Sequence, residues 1–135
     1  MKRRVLFVCT HNSARSQMGE ALLRQYGGDR YEALSAGIEP THVNPNAVAA
    51  LREIGIDTSV LRSKSVDEYI DTDIDLVITV CDNAKEACPF FPGGKERIHR
   101  GFRDPSDLVD DDTSEIDAFR IIRDEIREFI DGYFQ

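Results

Sequence analysis

The sequence predicts a three-layer α/β fold: an open parallel sheet of four strands in the order 2-1-3-4, with helices on both faces. Three observations carry that expectation. Short β-prone apolar runs alternate with segments of helical period, the pattern of strand–helix–strand units with right-handed crossovers. Two of the runs, Val5-Leu6-Phe7-Val8 and Leu76-Val77-Ile78-Thr79-Val80, are almost continuously apolar, as strands covered on both faces must be. Both end in a cysteine, Cys9 and Cys81, and the order 2-1-3-4 sets these two strands side by side, about 4.8 Å apart. The thiols would then emerge on the carboxyl edge of the sheet, beside the point where the winding reverses and such folds bind ligands.

The elements follow in chain order. After the first strand, Ser16 to Tyr26 reads as a helix with Met18, Ala21, Leu22 and Tyr26 at helical spacing, stopped by Gly27-Gly28. Tyr31 to Ala36 is a second strand closed by Gly37. Asn44-Pro45 gives a cap and a proline at the first helical position, for a helix whose Ala47, Ala50, Leu51 and Ile54 form an apolar stripe ending at Gly55. Ser65 with Glu68 has the spacing of a capping box. Cys81 and Cys88 enclose six residues that are mostly good helix formers, before Pro89. Arg97 to Phe102 is a weaker fourth strand, and Asp104-Pro105 a loop. The acidic stretch from Asp104 to Asp117 is solvated, and Ser114 caps a last helix on which Phe119, Ile122, Ile126, Phe129 and Tyr133 step by three and four.

With 135 residues, 41% hydrophobic and 31% charged, residues 1–135 make one globular domain able to bury its own core. A net charge of −8 argues against nucleic acid as a partner, since a basic surface is its electrostatic footprint. No apolar run reaches membrane-spanning length, and Met1-Lys2-Arg3-Arg4 leads into the first strand without a signal-peptide pattern. A cytoplasmic monomer without membrane contact is expected. The three cysteines are an odd number for a static disulfide framework and read as working thiols. Zinc does not fit them: Cys81 and Cys88 are not a C-x-x-C pair, and His11, His42 and His99 show no ligand spacing. No metal or cofactor is expected.

The chemistry concentrates in Cys9-Thr10-His11-Asn12-Ser13-Ala14-Arg15-Ser16. Small and polar residues between a strand and a helix suit a tight loop whose amides form an anion-binding nest, with the helix N-terminus aimed at the same point. Add a guanidinium six residues after the thiol, and the segment can hold a tetrahedral oxyanion against a thiolate. The bland alternative is that Cys9 fills a core, as most buried cysteines do; the offsets of Cys9, Arg15 and Ser16 between strand and helix favour the nucleophile. Asp104, at the same sheet edge, could protonate a leaving oxygen or be an ordinary Asp-Pro turn. A helix joining Cys81 and Cys88 would hold them about 10.5 Å apart along its axis, beyond disulfide reach, so their pairing would require it to unwind.

These motifs resemble the low-molecular-weight tyrosine phosphatase superfamily, and within it the thioredoxin-coupled arsenate reductases. The likeness runs through the Cys-x5-Arg-Ser loop, Ser16-Gln17-Met18, Ser35-Ala36-Gly37, Asn44-Pro45, the Cys81 and Cys88 pair before a proline, and Gly101-Phe102-x-Asp104-Pro105. It implies that Cys9 attacks arsenate in a loop of Thr10 to Ser16, that Arg15 clamps the oxyanion, that Ser16 supports the thiolate and that Asp104 is the general acid. Cys81 and Cys88 would relay the oxidation to thioredoxin, with phosphate as a competing oxyanion and weak phosphatase activity persisting. A phosphotyrosine phosphatase is the nearest rival; such relatives line the site mouth with aromatics, and Ile38 to Asn46 contains no Phe, Tyr or Trp. A phosphocysteine carrier or oxyanion sensor is a further alternative. The chain departs from the family in having His11 where glycine is frequent, histidine being tolerant of positive φ, and Ala14 where a second cysteine is common. Some relatives bind potassium beside the loop; Asn12, Glu20 and Ser35 match that pattern, but no acidic residue matches near Lys64-Ser65.

Overall fold

The computed structural model describes residues 2–82 and 91–134. Strand β1 (Arg3–Cys9) lies between β2 (Tyr31–Gly37) and β3 (Leu76–Thr79), and β4 (Glu96–His99) pairs with β3. All pairings are parallel and the order is β2-β1-β3-β4, as expected. Alternation along β1 sorts the core. Val5, Phe7 and Cys9 face helices α1 (Arg15–Gly27), α2 (Pro45–Arg52) and α3 (Glu115–Tyr133), while Leu6 and Val8 face Phe91 and the 3₁₀ turn Val66–Tyr69. Both faces of β1 are therefore dry, which is why its sequence shows no polar alternation. Among the described residues no helix is long and apolar enough to cross a membrane.

Register fixes the functional edge. Cys9 is the last residue of β1 and pairs with Gly37, while Val8 pairs with Thr79. Gly37 is needed there, because a Cβ would meet Thr10 O at 2.6 Å and Asn12 N at 2.8 Å. The helix caps behave as read: Asn44 accepts from Asn46 N, and Ser114 from Asp117 N.

Four local readings change. The Ser65–Glu68 segment forms one 3₁₀ turn in which Ser65 accepts from Asp67 N, and Glu68 forks onto Arg62 instead of returning to the cap. β4 ends at His99 although Phe102 N still bonds Val80 O; a Cβ on Gly101 would meet Cys81 O at 2.9 Å, an approach that interrupts the regular pleat. On α1, Tyr26 turns outward beneath the Arg127 guanidinium, while Arg15 to Leu23 are buried all round between sheet, helices and loops. The apolar stripe of α3 drifts with the 3.6-residue period, so that Ile130 and Phe134 close the core and Tyr133 is left outside, stacked on Phe129. The segment between Asn83 and Phe90, with Cys88 and most of the helix expected after Cys81, lies outside the described residues.

Candidate active site

The thiol of Cys9 is free, almost fully buried, and 2.8 Å from Ser16 Oγ. Ser16 is oriented in turn by Asn12, whose Nδ2 donates to the same oxygen at 2.8 Å. The loop between Cys9 and α1 is turned inside out by its own partners. Thr10 O accepts from Glu39 N, His11 O from Thr41 N and Ser63 Oγ, Asn12 O from Gln17 Nε2, and Ser13 O from Asn44 N. A trans peptide points its N–H opposite to its C=O, so the amides of His11, Asn12, Ser13 and Ala14 are directed away from those partners. Asn12 carries the reversal with φ 49°, the one positive φ outside glycine among the described residues. Sequence reasoning placed that demand on His11. Asparagine is the better fit, because its short side chain tolerates the left-handed region and bonds locally.

α1 begins at Arg15 with no side-chain cap and no acidic residue in its first turn, so its amide dipoles are not neutralised from within. The Arg15 guanidinium is held by Phe102 O, to which Nη1 donates at 3.0 Å. That carbonyl belongs to the chain just beyond β4, and no sequence signal marked it. Asp104 follows two residues later and caps a second 3₁₀ turn, Pro105–Leu108, its Oδ1 accepting from Ser106 N and Oγ. Cys9, Arg15, Asp104, Asn46, Glu115 and Phe119 share the walls of one cavity of about 680 Å³. Asp104 thus lies both in a capping turn and on the wall of the cavity that Cys9 also lines. Cys81 emerges at the same sheet edge, two residues past β3; it is buried and disulfide-bonded, and it is not among the described residues that line the cavity.

Behind the loop, residues 62–65 form a clamp. Lys64 N donates to Asn12 Oδ1 at 2.8 Å, and Lys64 O accepts from Gly37 N at 2.8 Å. Lys64 Nζ reaches Arg62 O at 2.8 Å, Glu20 Oε1 at 3.2 Å and Ser35 Oγ at 3.4 Å. Burial pushes the Lys64 pKa below its usual value, and Glu20 pulls it back up. Of the three residues that the resemblance marks for potassium, Glu20 and Ser35 therefore converge on an ammonium, while Asn12 meets the backbone N–H of the same lysine. A potassium ion does not fit these residues: it would meet a fixed positive charge on the oxygens it needs. Among the described residues no group of three or more His, Cys, Asp or Glu could hold a metal.

A parallel 2-1-3-4 sheet whose first strand ends in a cysteine and a tight loop opening into a helix is a phosphatase-type arrangement. The family model described as low molecular weight phosphotyrosine protein phosphatase matches residues 4–135, and the chain belongs to that family. Within it, the chain is 46% identical over 125 residues to an arsenate reductase of Halalkalibacterium halodurans, covering 93% of this chain and 90% of that relative. A solved arsenate reductase in its phosphate-binding state superposes with a TM-score of 0.77 at 29% identity, covering 96% of this chain and 95% of that one. The thioredoxin-dependent arsenate reductase of Corynebacterium glutamicum superposes at 0.69 and 29% identity, over 97% of this chain and 61% of that one.

Proposed function

We propose that this protein reduces arsenate to arsenite with a three-cysteine relay regenerated by thioredoxin. One observation carries the reading: a free, buried Cys9 at the floor of an amide-lined loop shares its sheet edge with a second cysteine, Cys81, that is already in a disulfide. The arsenate reductases to which the chain is similar, one of them in a phosphate-binding state and one thioredoxin-dependent, support it.

In the first step the Cys9 thiolate attacks arsenate. The S–As bond forms, an As–O bond breaks, and Asp104 protonates the departing oxygen to give water. Asp104 Oδ1 holds both Ser106 bonds, so Oδ2 is the oxygen that would carry the proton. The amides of His11 to Ala14 and the Arg15 guanidinium stabilise the charge on the remaining oxygens, and Ser16 Oγ, 2.8 Å away, supports the thiolate. Cys81, once thioredoxin has reduced the disulfide that it is in here, then attacks Cys9 Sγ as a thiolate. The S–As electron pair stays with arsenic, which leaves as arsenite, and Cys9 and Cys81 are joined. Cys88 thiolate attacks Cys81 and frees Cys9, and the dithiol of thioredoxin takes the resulting disulfide. Phosphate has no accessible lower oxidation state, so the same loop would only hydrolyse a phosphate ester, slowly.

Arsenate-dependent NADPH oxidation coupled through thioredoxin and thioredoxin reductase tests the reading, with a glutaredoxin system run in parallel. Sustained oxidation with thioredoxin is the expected result. Aryl phosphate hydrolysis without arsenate-dependent thiol oxidation would leave the protein a phosphatase, and a stable phosphocysteine without turnover would make it a carrier.

A further inference from the structure

The Lys64 side chain is an unusual thing to bury, being 5% exposed and next to the 3% exposed side chain of Glu20. A lysine stem normally carries its ammonium out to water. Here the three N–H bonds of the ammonium meet three oxygens from three parts of the chain: Glu20 Oε1 on α1, Ser35 Oγ on β2, and Arg62 O in the connection after α2. Other donors meet the same shell. Ser35 Oγ donates to Glu20 Oε1 at 2.7 Å, Arg24 takes Glu20 Oε2 at 2.7 Å, and Gln17 Nε2 reaches Arg62 O at 2.7 Å and Asn12 Oδ1 at 2.9 Å. A small cluster of oxygens around one positive centre is how a protein holds a monovalent cation, and an ammonium is close to potassium in size and charge.

We propose that Lys64 is a tethered cation, which braces the oxyanion loop from behind and makes the site independent of any dissolved monovalent ion. The brace reaches the thiol through a continuous path. Lys64 N holds Asn12 Oδ1, Asn12 Nδ2 holds Ser16 Oγ, and Ser16 Oγ lies on Cys9 Sγ. With the ammonium fixed among Glu20, Ser35 and Arg62, the backbone at residue 64 cannot drift from Asn12, and the positive φ of Asn12 is held in place. Because the cation is covalently attached, its effective concentration does not follow the composition of the medium. Lys64 is a positioning residue: it touches neither the thiol nor the oxyanion.

The inference rests on Cys9 as the reactive thiol of the loop and not on arsenate as the substrate, so its test avoids arsenate. The full-length protein is assayed in potassium chloride, ammonium chloride and choline chloride at equal ionic strength, reading the thermal midpoint and the rate of Cys9 alkylation by iodoacetamide at neutral pH. Wild type should give the same two values in all three salts. Lys64→Gly, which opens the space of the side chain, should alkylate Cys9 roughly tenfold more slowly in choline chloride, the equivalent of one lost charge-assisted hydrogen bond. It should recover in potassium or ammonium chloride. Lys64→Met, which removes the charge but fills the space, should show the loss without recovery. A higher midpoint or faster alkylation of wild type in potassium than in choline would overturn the proposal, and so would a Lys64→Gly protein indifferent to the cation. If Lys64→Gly folds only with potassium or ammonium present, that supports the proposal; if it folds in none of the salts, the wild-type comparison decides. A Cys9 that no salt makes reactive would instead count against the nucleophile reading.

Discussion

The oxyanion loop and the clamp behind it meet at Asn12, and they are assembled in opposite ways. The loop is one contiguous run from Cys9 to Ser16, whose carbonyls bond outward to neighbouring segments. The clamp is dispersed: Gln17 and Glu20 come from α1, Ser35 from β2, and Arg62, Ser63 and Lys64 from a connection that is joined to the end of β2 by a bridge between Ser65 and Gly37. On the function proposed above the loop carries the chemistry, and its substitutions should cost rate before stability. The clamp is mechanical, and its substitutions should cost stability before rate.

The largest expected effect tests the first half. Cys9→Ser should abolish both arsenate reduction and aryl phosphate hydrolysis while leaving the urea midpoint close to wild type, since an oxygen replaces a sulfur of similar shape beside Ser16 Oγ. Appreciable aryl phosphate turnover by this variant would take the nucleophile role from Cys9. Cys88→Ala divides the activities instead. Arsenate reduction should stop after one turnover with Cys9 bonded to Cys81, whereas aryl phosphate hydrolysis, which uses only the loop and Asp104, should persist. Repeated arsenate turnover by Cys88→Ala with thioredoxin as sole reductant would break the relay. Asp104→Asn should slow both reactions by about 10²–10⁴, the range of a lost general acid. Normal rates would reduce Asp104 to the cap of the 3₁₀ turn that it also is.

Glu20→Gln moves to the clamp. Removing the carboxylate leaves the Lys64 ammonium buried without its countercharge, at a cost of about 3 kcal/mol. Arg24, on the other carboxylate oxygen, is partly exposed and can turn to water. A urea midpoint well below wild type, with kcat for aryl phosphate reduced less than tenfold at a temperature where the variant is folded, is the expected pattern. Loss of rate without loss of stability would erase the distinction between the two regions.

The same difference decides what the sequence disclosed. The strand end at Cys9 and the helix start beside Arg15 and Ser16 could be read from the local pattern, because a loop between a strand end and a helix start is a local object; Asn44 and Ser114 were legible as caps for the same reason. The sheet order was legible because two apolar runs ending in cysteines belong side by side. Lys64 was not. Its role depends on parallel bridging between Gly37 and Ser65 and on two elements packing over it, and nothing in the run Arg62-Ser63-Lys64-Ser65 distinguishes a buried ammonium from an exposed one. The Phe102 carbonyl that holds Arg15 escaped notice likewise, since backbone acceptors leave no mark in composition. His11 received the positive φ from its place in the family pattern, while the bonds that need the reversal belong to Asn12.

Asn12 belongs to both regions, so its substitutions offer the finest measurement. Asn12→Gly and Asn12→Ala remove the same three bonds, to Ser16 Oγ, Lys64 N and Gln17 Nε2, and should slow Cys9 chemistry to a similar degree. They differ in backbone alone. At φ 49° alanine carries the steric cost of the left-handed region, about 1–2 kcal/mol, and glycine does not. Glycine in turn loses more chain entropy on folding, about 0.4–1 kcal/mol. The first effect exceeds the second, so Asn12→Gly should be the more stable of the two, by about 1 kcal/mol in urea denaturation. Equal stabilities, or a more stable alanine variant, would mean that the loop keeps its reversed peptide only while the Asn12 side chain is tied to the clamp. The contiguous loop would then owe its shape to the dispersed one.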